Sequence, residues 1–79
     1  MKARVYITPK EGILDPQGLA IERSLPALGF EGVHNVRVGK YIELDLPDGD
    51  AAGEAVDRMC HKLLANPIIE DFKFELVSE

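Results

Sequence analysis

Apolar and polar residues alternate most regularly near the start and the end of the chain. From Lys2 to Thr8, Ala3, Val5 and Ile7 fall on one side and Arg4, Tyr6 and Thr8 on the other, which predicts a half-buried strand ended by Pro9. After a loop through Gly12, Asp15 stands before Pro16 as an N-cap stands before its preferred first helical residue. Gln17, Ala20, Ile21, Ser24, Leu25 and Leu28 then follow helical spacing, with Gly29 as a left-handed stop. Pro26 removes a backbone donor inside that helix and predicts a bend or a tightened last turn. Val33 to Val38 reads as a second strand with Val36 and Val38 inward, and Tyr41 to Leu46 as a third with Ile42, Leu44 and Leu46 inward. Gly39 and Lys40 between them predict a hairpin. A second helix spans Ala51 to Leu64, its stripe formed by Ala52, Ala55, Val56, Met59, Cys60 and Leu63, with Asp50 placed to cap it. Asn66 and Pro67 stop it, and Ile68 to Val77 alternates again as a fourth strand.

The predicted order is β-α-β-β-α-β, an α+β domain in which an antiparallel sheet carries two helices on one face, as in ferredoxin-like folds. A chain of 79 residues fills one core, so residues 1–79 form a single domain. A core of this size supplies about 3–5 kcal/mol net, and small folds add disulfides, a metal or self-association. With one cysteine, Cys60, an intramolecular disulfide is impossible, so a homo-oligomer, dimer or tetramer, is expected. The net charge of −5 disfavours nucleic acid and anionic membrane surfaces as partners. Met1 leads into a mixed polar segment, and no apolar run approaches the roughly 20 residues of a membrane span, so the expected location is cytoplasmic.

No catalytic, cofactor-binding or metal site emerges from the residues. Cys60 and His61 are neighbours, but consecutive helical positions point about 100° apart, and Cys60 falls on the apolar stripe as an inert thiol. Glu54, Asp57 and His61 share a helical face, which is also the ordinary make-up of a solvated face. His34 is inward by strand parity and reads as a partly buried, satisfied imidazole. Gly39-Lys40 lacks the glycine-rich run and the following Ser or Thr of a phosphate-binding loop.

Three segments carry a resemblance. Leu14-Asp15-Pro16-Gln17-Gly18, then Val36-Arg37-Val38-Gly39-Lys40-Tyr41-Ile42-Glu43-Leu44, then Lys62-Leu63-Leu64-Ala65-Asn66-Pro67-Ile68-Ile69-Glu70-Asp71-Phe72 resemble the signature stretches of the PurS family, in order and across nearly the whole chain. Pro26 and His61 depart from that pattern on outward faces. The resemblance implies the small, non-catalytic subunit of phosphoribosylformylglycinamidine synthase in purine biosynthesis. It also implies a glutaminase subunit that releases ammonia and a large synthetase subunit that holds ATP and magnesium, with no cofactor in this chain. A small-metabolite-binding regulatory module of the same topology is the competing reading.

On the family reading the chain bridges glutaminase to synthetase and supports ammonia transfer. Lys10, Asp15, Gln17, Arg37, Lys40, Tyr41, Asn66 and Asp71 are the interface or scaffold candidates. Asp15 and Gln17 also start a helix, and Asn66 also stops one. Arg37, Lys40 and Tyr41 have no such local duty at the predicted hairpin tip, where a contact surface and a solvated turn are both open. Ile13, Leu14, Leu19, Phe30 and Ile69 are the apolar residues left for self-association.

Overall fold

The computed structural model describes residues 1–78, and its centre is β1 (Lys2–Pro9), flanked antiparallel by β2 (Lys40–Asp45) and β3 (Glu70–Val77). The register explains why β1 is buried. Ala3 lies opposite Leu44 and Leu76, Val5 opposite Ile42 and Phe74, and Ile7 opposite Phe72 on one side and Lys40 on the other, so Ala3, Val5 and Ile7 each meet at least one apolar partner on the same face. Gly39 brings the chain onto this sheet, and a side chain there would collide with the Ile7 carbonyl.

Helix α2 (Ala52–Met59) covers that face, burying Ala52 and Val56, and continues as a wide π turn over Cys60–Leu64. The wide turn, closed by Ala65 N–H donating to the Cys60 carbonyl at 3.0 Å, changes which residues reach the core. Cys60 is 0% exposed and Ala65 is buried, whereas Leu63, assigned by simple helical spacing to the buried stripe, is 83% exposed. The helix is not capped by Asp50: its N-cap is Ala51, entered through a turn in which Ala52 N–H donates to Gly49 C=O.

Helix α1 (Pro16–Ser24) ends in a tightened turn at Pro26–Leu28, as Pro26 requires, and Gly29 closes it in the left-handed region at φ 94°. Unlike α2, it buries only Gly18 and contributes nothing to the core cluster under the sheet. The expected pair of helices on one face is therefore reduced to α2 alone, and residues 13–39 form an arm. The chain extends 49 × 28 × 14 Å with a radius of gyration of 16.0 Å, against about 12 Å for a compact chain of this length. Leu14 (77% exposed), Leu28 (70%) and Phe30 stand in solvent along the arm.

The predicted second strand is also corrected. Residues 33–38 are extended but join no sheet, and the hairpin with β2 does not form, leaving three strands among the described residues in the order β2-β1-β3. Both edges of β1 are already occupied, and left-handed kinks at Gly32 and Asn35 turn the segment back along α1. Its donors go to side chains instead of a ladder: Val36 N–H to Glu22 Oε1 at 3.1 Å and Val38 N–H to Asp15 Oδ2 at 2.8 Å. His34 is exposed on this segment rather than inward, with Nδ1 3.1 Å from the Gly32 carbonyl.

Candidate functional site

The candidate residues gather where the arm joins the sheet. Loop 10–14, the start of α1 and the returning segment 35–37 enclose an open cleft of about 690 Å³. Asp15 is its hinge pin. One carboxylate oxygen accepts from Gly18 N–H at 3.0 Å as an N-cap, and the other accepts from Val38 N–H, so a single side chain starts α1 and ties the returning strand to it. Gly18 permits this closeness, because a Cβ there would strike the Val36 carbonyl and the Asp15 carboxylate. Gln17 and Arg37 are exposed beside this junction, Arg37 on the cleft wall. Glu22, which holds Val36 N–H, was not among the sequence candidates; its only signal was a carboxylate one helical turn beyond Gly18.

The Gly18 and Val38 N–H groups hold the Asp15 carboxyl below the usual carboxylate range, and desolvation opposes them. A depressed folded-state pKa gives stability that is fully present above the unfolded value and is lost as pH falls through the folded one. We therefore expect the arm to loosen below about pH 4, seen as faster hydrogen exchange at the Val38 amide while β1 amides stay protected. Asp15→Ala is expected to give the same loss at neutral pH, since it leaves Val38 N–H without its acceptor. Unchanged Val38 exchange in that variant would remove Asp15 from this role.

At the sheet end the candidates pair. Lys10 Nζ lies 2.6 Å from Asp71 Oδ1, and Lys10 N–H donates to Ile69 C=O at 2.9 Å. Lys40 reaches Glu70 at 3.9 Å and the Leu64 carbonyl at 3.4 Å. Asn66 is a turn lock: its Oδ1 accepts from Ile68 N–H, its carbonyl from Ile69 and Glu70 N–H, and its own N–H donates to Glu70 Oε1 at 2.8 Å. Tyr41 belongs to the open face of the sheet, 5.1 Å from the Tyr6 ring, with its hydroxyl donating to Glu43 at 2.7 Å. That bond, with desolvation and the Glu43 charge, pushes its pKa up to about 12, so it remains a neutral donor. Arg4 lies between Glu43 at 3.9 Å and Glu75 at 3.5 Å, making the open face a charged lattice.

Burial raises the Cys60 thiol pKa, the wrong direction for a nucleophile. His61 is exposed, edge-on to Phe72 with ring centroids 5.1 Å apart, and its Nδ1 lies 3.4 Å from the Asp57 carboxylate. Among the described residues no group of three or more His, Cys, Asp and Glu is placed to hold a metal ion. No helix among them is long and apolar enough to cross a membrane.

The sequence and fold match known proteins along nearly the whole of this chain. A PurS subunit of phosphoribosylformylglycinamidine synthase from Synechocystis sp. is 47% identical over 77 residues, covering 95% of this chain and 77% of that one. The crystal structure of Bacillus subtilis PurS superposes with a TM-score of 0.83 at 44% identity, covering 94% of each chain. A chain of the Thermotoga maritima PurLQS structure superposes with a TM-score of 0.76 at 29% identity, covering 94% of this chain and 93% of that one. Residues 2–78 fit the family profile of PurS, phosphoribosylformylglycinamidine (FGAM) synthase, and the chain belongs to that family.

Proposed function

We propose that this chain is a non-catalytic subunit of FGAM synthase that holds a glutaminase subunit and an ATP-dependent synthetase subunit together, so that ammonia passes between them. The observation that carries this reading is the match, across residues 2–78, to a family with a member in the PurLQS structure. Ammonia released into water is protonated and diluted, so a docked geometry raises its effective concentration at the synthetase. ATP and magnesium belong to the synthetase on this reading, and the assembly works in the cytoplasm. The metabolite-binding module finds no support in the family assignment.

The arm supports self-association as part of that role. An arm with Leu14, Leu28 and Phe30 in solvent exposes apolar surface that a monomer of this size does not leave uncovered. A second copy covers it in our reading, leaving Lys10, Arg37, Lys40, Tyr41 and Asp71 at the sheet end and its margins for the larger subunits.

Reconstitution tests the function. Omitting this chain from a mixture of glutaminase and synthetase is expected to abolish glutamine-dependent FGAM formation while ammonia-dependent formation persists. A glutamine-dependent rate that does not change on omission would overturn the bridging role. Arg37→Ala with Lys40→Ala is expected to weaken complex formation about tenfold or more while the melting temperature moves by only a few degrees, as exposed substitutions do. A collapse of the fold would instead make these residues structural.

A further inference from the structure

The loop between β2 and α2 brings a carboxylate and an unoccupied backbone amide side by side. Asp48 and Gly49 lie in the irregular stretch after β2, the Asp48 side chain is 80% exposed, and beyond its chain neighbours nothing stands within 4 Å of where a side chain on Gly49 would begin. Gly49 C=O accepts from Ala52 N–H at 3.2 Å, whereas Gly49 N–H has no hydrogen-bond partner among the described residues. That nitrogen is free to turn onto the neighbouring carboxyl, and glycine puts no Cβ in its way.

The fold restrains the other Asp and Asn residues. Asp15 precedes Pro16, whose nitrogen carries no hydrogen, and both its carboxylate oxygens already accept backbone bonds. After Asp45, Leu46 N–H donates to Met1 C=O at 3.0 Å, and Asp57 lies inside α2. Asp71 is set in β3 with its carboxylate 2.6 Å from Lys10 Nζ. Val36 N–H, after Asn35, is held by Glu22, and Asn66 precedes Pro67. Asp50 shares the exposed loop, but the Cβ of Ala51 crowds the nitrogen that follows it.

We propose that Asp48 is a modification site, at which the chain isomerises spontaneously to a β-linked aspartate. The Gly49 nitrogen attacks Asp48 Cγ, and one carboxylate oxygen leaves as water with the nitrogen's proton and one proton from solvent, closing a succinimide ring. Water then opens the ring at either carbonyl. Cleavage of the bond from nitrogen to Cγ restores aspartate; cleavage of the bond from nitrogen to the main-chain carbonyl carbon leaves the chain running through Cγ, with no change of mass. The β linkage adds one carbon to the backbone between β2 and α2 and draws the carboxylate away from the Met1 amino group, which Asp48 reaches at 2.9 Å. An ion pair so exposed on one side restrains the loop little. The loop lies at the end of the sheet where Lys2 meets Asp45, opposite the Pro9 end that borders the cleft, so the site is independent of the bridging role.

The test is incubation of the full chain at neutral pH, folded and unfolded in guanidinium, followed by trypsin and electron-transfer fragmentation. Cleavage after Lys40 and Arg58 releases residues 41–58, which carry Asp45, Asp48, Asp50 and Asp57 in one peptide. In the folded chain the β linkage is expected to form fastest at Asp48, at a rate within about tenfold of the unfolded chain, as an unprotected loop allows. G49A is expected to slow it, and D48N to speed ring closure with loss of ammonia, circular dichroism showing that each variant is folded. Another Asp isomerising as fast in the folded chain, or a larger suppression of Asp48 by folding, overturns the proposal. So does an unchanged rate in G49A, or a folded D48N chain that keeps its ammonia.

Discussion

Cutting Ile7 to alanine will leave a large fraction of the isolated chain unfolded at 25 °C. Ile7 is 1% exposed and is among the largest fully buried side chains, which are otherwise Val5, Val56 and Cys60. Truncation of a buried isoleucine costs about 2–5 kcal/mol, because a cavity remains where methyl groups were removed. A core of this size supplies only about 3–5 kcal/mol net. The loss is therefore comparable to the whole stability of the domain, and a drop of about 8 °C or more in melting temperature is expected. Thermal melting followed by circular dichroism measures it, and a loss below about 1 kcal/mol would show that the core does not lie between β1 and α2. Excess glutaminase and synthetase should partly restore glutamine-dependent synthesis, since partners that bind only the folded form pull the equilibrium back.

Gly18→Ala will act differently, disabling the arm while the sheet stays folded. Alanine gains about 1 kcal/mol over glycine in a helix interior. Against this, the new Cβ strikes the Val36 carbonyl, a backbone atom that cannot rotate away, and the Asp15 carboxylate. Overpacking costs about 1–3 kcal/mol, so the collision outweighs the propensity gain. Relief requires residues 36–38 to move off α1, which breaks the bonds from Val36 N–H to Glu22 and from Val38 N–H to Asp15. We expect protected β1 amides, fast-exchanging Val36 and Val38 amides, and loss of glutamine-dependent activity in the reconstituted complex. A variant as active as wild type, with Val38 still protected, would show that the close approach at Gly18 is dispensable.

Much of this was legible because local chemistry and burial coincide. The alternation of Ala3, Val5 and Ile7 marks β1, Asp15-Pro16 marks the start of α1, Pro26 marks its tightened end, and Asn66-Pro67 marks the turn into β3. Where the reading failed, either a non-local fact or an irregular turn intervened. Residues 33–38 alternate as a strand does, yet alternation encodes a two-faced extended segment and not the presence of a neighbour to pair with. Leu63 has the spacing of a core residue, but one wide turn rotates it into solvent. Glu22 escaped notice because its partner, Val36, is distant in sequence and its role is to hold backbone.

The candidate site divides along the same line. Asp15 and Asn66 do the local work that their sequence neighbourhoods suggest, and Asp15 does more, since its second oxygen reaches Val38. The pairing of Lys10 with Asp71 joins opposite ends of the chain and follows from the β1–β3 register alone. The sequence by itself determined the strands and helices that local periodicity and capping specify, together with the family. Only the tertiary structure decided that α1 leaves the sheet, which candidates meet, and which strand edges stay open, because those depend on contacts between residues far apart along the chain.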